Sequence, residues 1–89
     1  MEVAFAPSFI RALRALPAGL QEDALEKIDL FHETKNHKQL KVHKLTGRLV
    51  DRYSFSVNFQ TRIVFRFSKQ KKPKTAFLLT IGDHDVYKS

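Results

Sequence analysis

The sequence predicts an α+β fold in which an N-terminal strand and a two-helix hairpin pack on a twisted antiparallel sheet. Apolar residues recur at helical spacing between Phe9 and Phe31, and they alternate with polar ones from Tyr53 to Phe59. Neither pattern can bury its apolar side alone. A layer of helices covering one face of a sheet satisfies both.

In chain order, Glu2 to Ala6 is the first strand candidate, with Val3 and Phe5 on one face. Pro7 suits the first turn of a helix, where its missing N–H costs nothing. Phe9, Ile10, Leu13 and Leu16 form the stripe of that helix, which Pro17, Ala18 and Gly19 end. A second helix is predicted from about Gly19 to about Lys35 on the stripe Leu20, Ala24, Ile28 and Phe31, with Leu25 flanking it. Glu22 and Asp23 near its start and Lys35 near its end match the helix dipole. Tyr53, Phe55, Val57 and Phe59 then alternate with Ser54, Ser56 and Asn58. The following strand sets Ile63, Phe65 and Phe67 against Arg62, Val64 and Arg66. A basic loop from Ser68 to Lys74 leads to Thr75–Ile81, whose nearly unbroken apolar run reads as a strand covered on both faces. The expected order is β-α-α-β-β-β, the last three strands meandering antiparallel. Ser54, Ser56, Arg62 and Arg66 then fall on the face away from the helices.

At 89 residues, one domain spanning 1–89 is expected. The absence of cysteine rules out disulfides, thiolate metal sites and cysteine nucleophiles, and fits a reducing cytoplasm. No stretch approaches the ~20 apolar residues that cross a bilayer, and Met1–Phe5 lacks the features of a signal peptide. A cytoplasmic protein with no membrane partner is expected. The formal net charge of +7, from 16 Lys and Arg against nine Asp and Glu, is large for so short a chain. It favours an encounter with nucleic acid or with an acidic protein.

Four histidines are present. His32 and His37 fall at a helix end and in the polar stretch after it, where a solvated role is the simpler account. His43 begins His43-Lys44-Leu45-Thr46-Gly47, leading into the sheet, and His84 follows the last strand within Gly82-Asp83-His84-Asp85. Two histidines flanking a strand face with two arginines suit general acid–base cleavage of RNA, whose own 2′-OH attacks the adjacent phosphorus. Arg62 suits the phosphate, because guanidinium binds its oxygens with two parallel hydrogen bonds. A strand arginine in a surface ion pair fits the periodicity equally well. No His-x-x-His or His-Glu-x-x-His spacing occurs, and consecutive Asp83, His84 and Asp85 diverge if extended, so no metal site and no cofactor are expected.

These residues resemble the RelE/ParE superfamily of type II toxins. The resemblance rests on His43-Lys44-Leu45-Thr46-Gly47, Tyr53–Val57, Thr61-Arg62-Ile63-Val64-Phe65 and Ile81–Tyr87, and with the helices it covers most of the chain. His43-x-Leu45-x-Gly47 and Gly82-x-His84 look like the YafQ branch, whose matching histidines take part in RNA cleavage. Arg62 matches the arginine that RelE-type toxins place against the scissile phosphate. Tyr87 lies where RelE has a tyrosine implicated in activating the 2′-OH, with different spacing before it. Two departures stand out: Ser56 and Gln60 occupy places where YafQ-like toxins carry a further histidine and aspartate, and Ser54 and Ser56 replace lysines of RelE.

The resemblance implies a toxin–antitoxin toxin, a ribosome-dependent endoribonuclease that cleaves mRNA, with His43, Arg62, His84 and Tyr87 at the reaction. Lys44, Arg48 and Arg66 are the expected RNA- and phosphate-binding residues. It leaves two alternatives, inhibition of DNA gyrase by binding, as in ParE relatives, or antitoxin binding alone. The implied partners are the ribosome with its mRNA and a small acidic antitoxin wrapped over the basic face, the two proteins together forming a hetero-oligomer on operator DNA.

Overall fold

The structure, a computed structural model, describes residues 1–47, 51–70, 72–83 and 86. Its elements are β1 (Glu2–Phe5), α1 (Pro7–Arg14), α2 (Ala18–Phe31), a 3₁₀ turn (Thr34–Asn36), β2 (His43–Lys44), β3 (Tyr53–Ser56), β4 (Arg62–Phe67) and β5 (Thr75–Gly82). The strands form one five-stranded sheet in the order β1-β5-β4-β3-β2. The expected α+β architecture is present, with both helices contributing to a core on one face. The last three strands meander antiparallel as expected. Two features correct the expected sheet. It is mixed, because β1 runs parallel to β5, and it gains a fifth strand, the two-residue β2 paired with β3. A two-residue strand has too short an alternation to be visible in sequence.

Pro7 opens α1 after the extended Ala6, as its fixed φ favours. Phe9 is fully buried, with Ala12, Leu13 and Leu16 packed beside the core, while Ile10 turns outward. Gln21 closes the end of α1 from the next helix, its Nε2 donating to the Leu16 carbonyl at 2.7 Å. The buried stripe of α2 is Ala24, Ile28 and Phe31, as the spacing predicted. This helix stops at Phe31, four residues short of the expected Lys35. Asn36 Nδ2 donates to the Leu30 carbonyl and His37 Nε2 to the Phe31 carbonyl, both at 2.9 Å, so side chains satisfy the terminal carbonyls. With the helix starting at Ala18, neither Glu22 nor Asp23 lies in its first turn, and Lys35 sits in the 3₁₀ turn. The dipole arrangement read from the sequence is therefore absent.

The centre of the core is aromatic. Phe31 stacks on Phe55 at 4.2 Å between ring centroids and meets Phe65 edge-on at 4.8 Å. His37 covers the Phe31 ring at 4.8 Å, which gives this half-buried histidine a structural role.

Two departures from simple alternation shape the sheet. β3 ends at Ser56, and residues 57–60 turn instead of continuing the strand. The Asn58 side-chain carbonyl accepts from the N–H groups of Gln60 and Thr61 at 2.9 and 2.8 Å, the local bonding that lets asparagine replace a strand ladder with a turn. Val57 stays buried, whereas Phe59, expected in the core, is 91% exposed. The second departure is a bulge in β5: Val64 pairs with Thr80 while the adjacent Phe65 pairs with Leu78, leaving Leu79 as the extra residue. Its carbonyl accepts the Ser8 hydroxyl at 2.6 Å, tying α1 to the sheet. Burial in β5 consequently runs Ala76 and Leu78, then Ile81, with the residues between only half-buried. The apolar run that suggested coverage of both faces is thus two alternating segments joined out of phase.

Candidate functional site

On the sheet face away from the helices, register fixes who sits beside whom. His43 is opposite Ser54, Ser54 opposite Val64, and Val64 opposite Thr80, forming one row across four strands. The neighbouring row sets Ser56 opposite Arg62 and Arg62 opposite Gly82. Arg66 lies on the other side of the first row, opposite Phe77. With strands about 4.8 Å apart and residues rising about 3.4 Å, the Cα of His43 lies roughly 12 Å from those of Arg62 and Arg66. The three form a triangle around Ser54 and Val64.

The local chain dictates the state of His43. Lys41 adopts φ 59°, and its carbonyl is 2.8 Å from His43 Nδ1. A carbonyl only accepts, so Nδ1 carries the proton of the neutral ring and Nε2 keeps its lone pair. Nε2 lies 3.5 Å from the Oγ of the fully buried Ser54, so its lone pair faces that hydroxyl. The exposed imidazole is thereby set up to accept a proton at Nε2.

Arg62 has a different anchorage. Its Nη1 donates to the Asn58 carbonyl at 2.6 Å and to the Thr61 carbonyl at 3.2 Å. These two backbone acceptors hold the guanidinium at the β3–β4 turn, and neither neutralises its charge. Arg66 lies over the Phe77 ring at 4.6 Å, a cation–π contact that flattens it along the open face.

Lys44 is not brought to this group. It is opposite Tyr53, so it projects from the edge strand toward the other face from His43. His84, Tyr87 and Arg48 lie outside the described residues. The chain leading to the first two is described: Val86 N–H donates to the Asp83 carbonyl at 3.1 Å, and a Cβ on Gly82 would meet Val86 Cγ1 at 2.6 Å. Gly82 therefore lets Val86 pack close to the row that holds Arg62.

Sequence reasoning missed several contributors. Continuing the register of Tyr53 opposite Phe65 sets Arg52 beside Arg66, and both line a groove with Lys69 and Asp51. Like charges facing each other across strands are unfavourable unless an anion lies near, and Asp51 lines the same groove. The signal was present in the equal and opposite spacing of Arg52 and Arg66 about the strand turn. Lys41, Asn58 and Ser54 act through backbone conformation and cross-strand proximity, and only Asn58, as a turn former, has a sequence signature.

The fold is like that of solved RelE and YoeB/ParE toxins. It matches the toxin structure of the RelBE2 complex from Mycobacterium tuberculosis with a TM-score of 0.70 at 17% identity, covering 93% of this chain and 96% of that one. The archaeal RelE–RelB complex from Pyrococcus horikoshii OT3 gives 0.67 at 22% identity, covering 92% of each chain. A YoeB/ParE toxin from Agrobacterium tumefaciens gives 0.65 at 17% identity, covering 94% of this chain and 99% of that one. The first two of these structures hold a toxin in complex with its antitoxin. No protein-family model matches the sequence. No curated protein matches it either. Among the described residues, no helix is long and apolar enough to cross a membrane.

Proposed function

We propose that the chain, as a single domain over residues 1–89, is the toxin of a type II toxin–antitoxin system and cleaves mRNA in the ribosome. The observation that supports this reading is His43, with Nδ1 satisfied by Lys41 and Nε2 beside Ser54 Oγ, on the sheet face that also carries Arg62 and Arg66. Cleavage proceeds without a metal ion, because the RNA supplies its own nucleophile. His43 Nε2 takes the proton of a 2′-OH, and the freed oxygen bonds to the adjacent phosphorus. The bond from phosphorus to the 5′-oxygen breaks, and that oxygen leaves with a proton from His84. The products are a 2′,3′-cyclic phosphate and a 5′-hydroxyl end. Arg62 neutralises charge developing on the phosphoryl oxygens, the kind of electrostatic stabilisation that contributes most when the donor is already held in place. Tyr87 supports activation of the 2′-OH, while Arg66, Arg52 and Arg48 hold neighbouring phosphates.

In this reading the protein works in the cytoplasm, and an acidic antitoxin covers the basic face. Net charge of +7 favours rapid association with it. The complex, bound to operator DNA, completes the partner set. Induced expression with primer extension on cellular mRNA tests the activity. Growth arrest with new ends inside coding frames, lost in His43→Ala and His84→Ala, is the expected result. Arrest without new ends would transfer the reading to gyrase, which Ser56 and Gln60 at the positions of family proton-transfer residues favour, and a supercoiling assay with purified gyrase would decide it.

A further inference from the structure

Phe59 is the most exposed large apolar side chain among the described residues, at 91%. It belongs to neither the core nor a strand. It sits at the tip of the β3–β4 turn, which is held by the Asn58 side chain through the N–H groups of Gln60 and Thr61. The Asn58 carbonyl that accepts Arg62 Nη1 at 2.6 Å is the carbonyl of the Asn58–Phe59 peptide. An aromatic ring open to solvent and a fixed guanidinium therefore share one peptide group.

We infer that Phe59 is a stacking platform for an unpaired base of single-stranded RNA whose phosphate Arg62 holds. This rests on the RNA reading of the open face. A nucleotide presents a flat apolar base and a charged phosphate within a short reach, and the pair Phe59 and Arg62 presents the matching groups in the same order. Bases stack on aromatic side chains irrespective of sequence, and guanidinium supplies the charge-assisted contact to the backbone. The net charge of +7 makes a polyanion the favoured occupant over an apolar protein segment. Asn58 fixes the turn before RNA arrives, so little freedom is lost on binding. The site lies at the Arg62 end of the open face, away from the groove of Arg52 and Arg66, and so gives bound RNA a second point of attachment.

The chain has no tryptophan, so Phe59→Trp installs a unique fluorophore at the platform. The probe is a short 2′-O-methyl single-stranded oligoribonucleotide, which cannot be cleaved by its own 2′-oxygen, free and within programmed ribosomes. Quenching of the new fluorophore on binding is expected, with Phe59→Ala binding about 5- to 150-fold more weakly and Phe59→Tyr binding as the wild type does. Phe59→Leu separates stacking from mere apolar contact and is expected to resemble Phe59→Ala. If the probe binds and unmodified mRNA in programmed ribosomes is cut, yet the fluorophore stays unquenched and Phe59→Ala binds normally, the platform is wrong while the RNA reading stands. If the fluorophore responds only to an acidic partner protein, Phe59 is a protein contact and the inference falls. If the wild type neither binds nor cuts RNA in either setting, both readings fail together.

Discussion

The carbonyl of Lys41 accepts a hydrogen bond from His43 Nδ1 at 2.8 Å, and Lys41 takes the left-handed φ of 59° to present it. A side chain is uncommon in that backbone region, where a Cβ costs roughly 1–2 kcal/mol, so the surrounding structure holds it there. Lys41→Gly is expected to keep cleavage near the wild-type rate and to change stability by no more than about 1 kcal/mol. Lys41→Val, which resists positive φ, is expected to lose stability and to slow cleavage by displacing the carbonyl. Single-turnover RNA cleavage and urea unfolding of both variants measure this. Equal rates in the two would disconnect Lys41 from the chemistry.

His43 is exposed and contributes nothing to the core, so its removal should be felt in chemistry alone. His43→Ala is expected to lower the cleavage rate by about 10²–10⁴-fold with an unchanged melting temperature. A loss of less than tenfold would remove it from the proton-transfer role.

Arg62 binds two backbone carbonyls with one guanidinium nitrogen. With Nη1 engaged, Nη2 and Nε remain for a phosphate, whereas an ammonium holding both carbonyls keeps a single donor. Arg62→Lys should therefore reduce cleavage by about 10²–10³-fold, the scale of losing one held donor at the developing charge. Full activity in Arg62→Lys would show that charge alone suffices.

Gly82 has no room for a Cβ, because Val86 Cγ1 occupies the place at 2.6 Å. Gly82→Ala should push Val86 away from the end of β5, lowering cleavage while the sheet stays folded. Adding Val86→Ala removes the clash, and the double variant is expected to recover a substantial part of the rate. A double-variant cycle that shows no coupling would refute this packing account.

Phe31 is fully buried between Phe55, Phe65 and His37. Phe31→Ala should cost about 3–5 kcal/mol, a large part of the stability of a domain this size, and Phe31→Leu considerably less. Circular dichroism during urea unfolding reads both.

Local patterns in the sequence determined the two helices, the antiparallel meander of the last three strands and the basic face, because helical and strand periodicities are properties of neighbouring residues. The stripe Ala24, Ile28 and Phe31 and the alternation of Phe55 with Ser54 and Ser56 needed no partner to be read. The resemblance singled out His43 and Arg62 as residues, but not their geometry. Tertiary structure alone decided that Phe59 leaves the strand, since the same alternation continues through it until the Asn58 side chain takes the backbone bonds. It also decided the parallel docking of β1, the phase shift at Leu79 and the separation of Lys44 from His43 onto opposite faces. Each depends on which strand lies beside which, and that choice is made by packing between residues far apart in the chain.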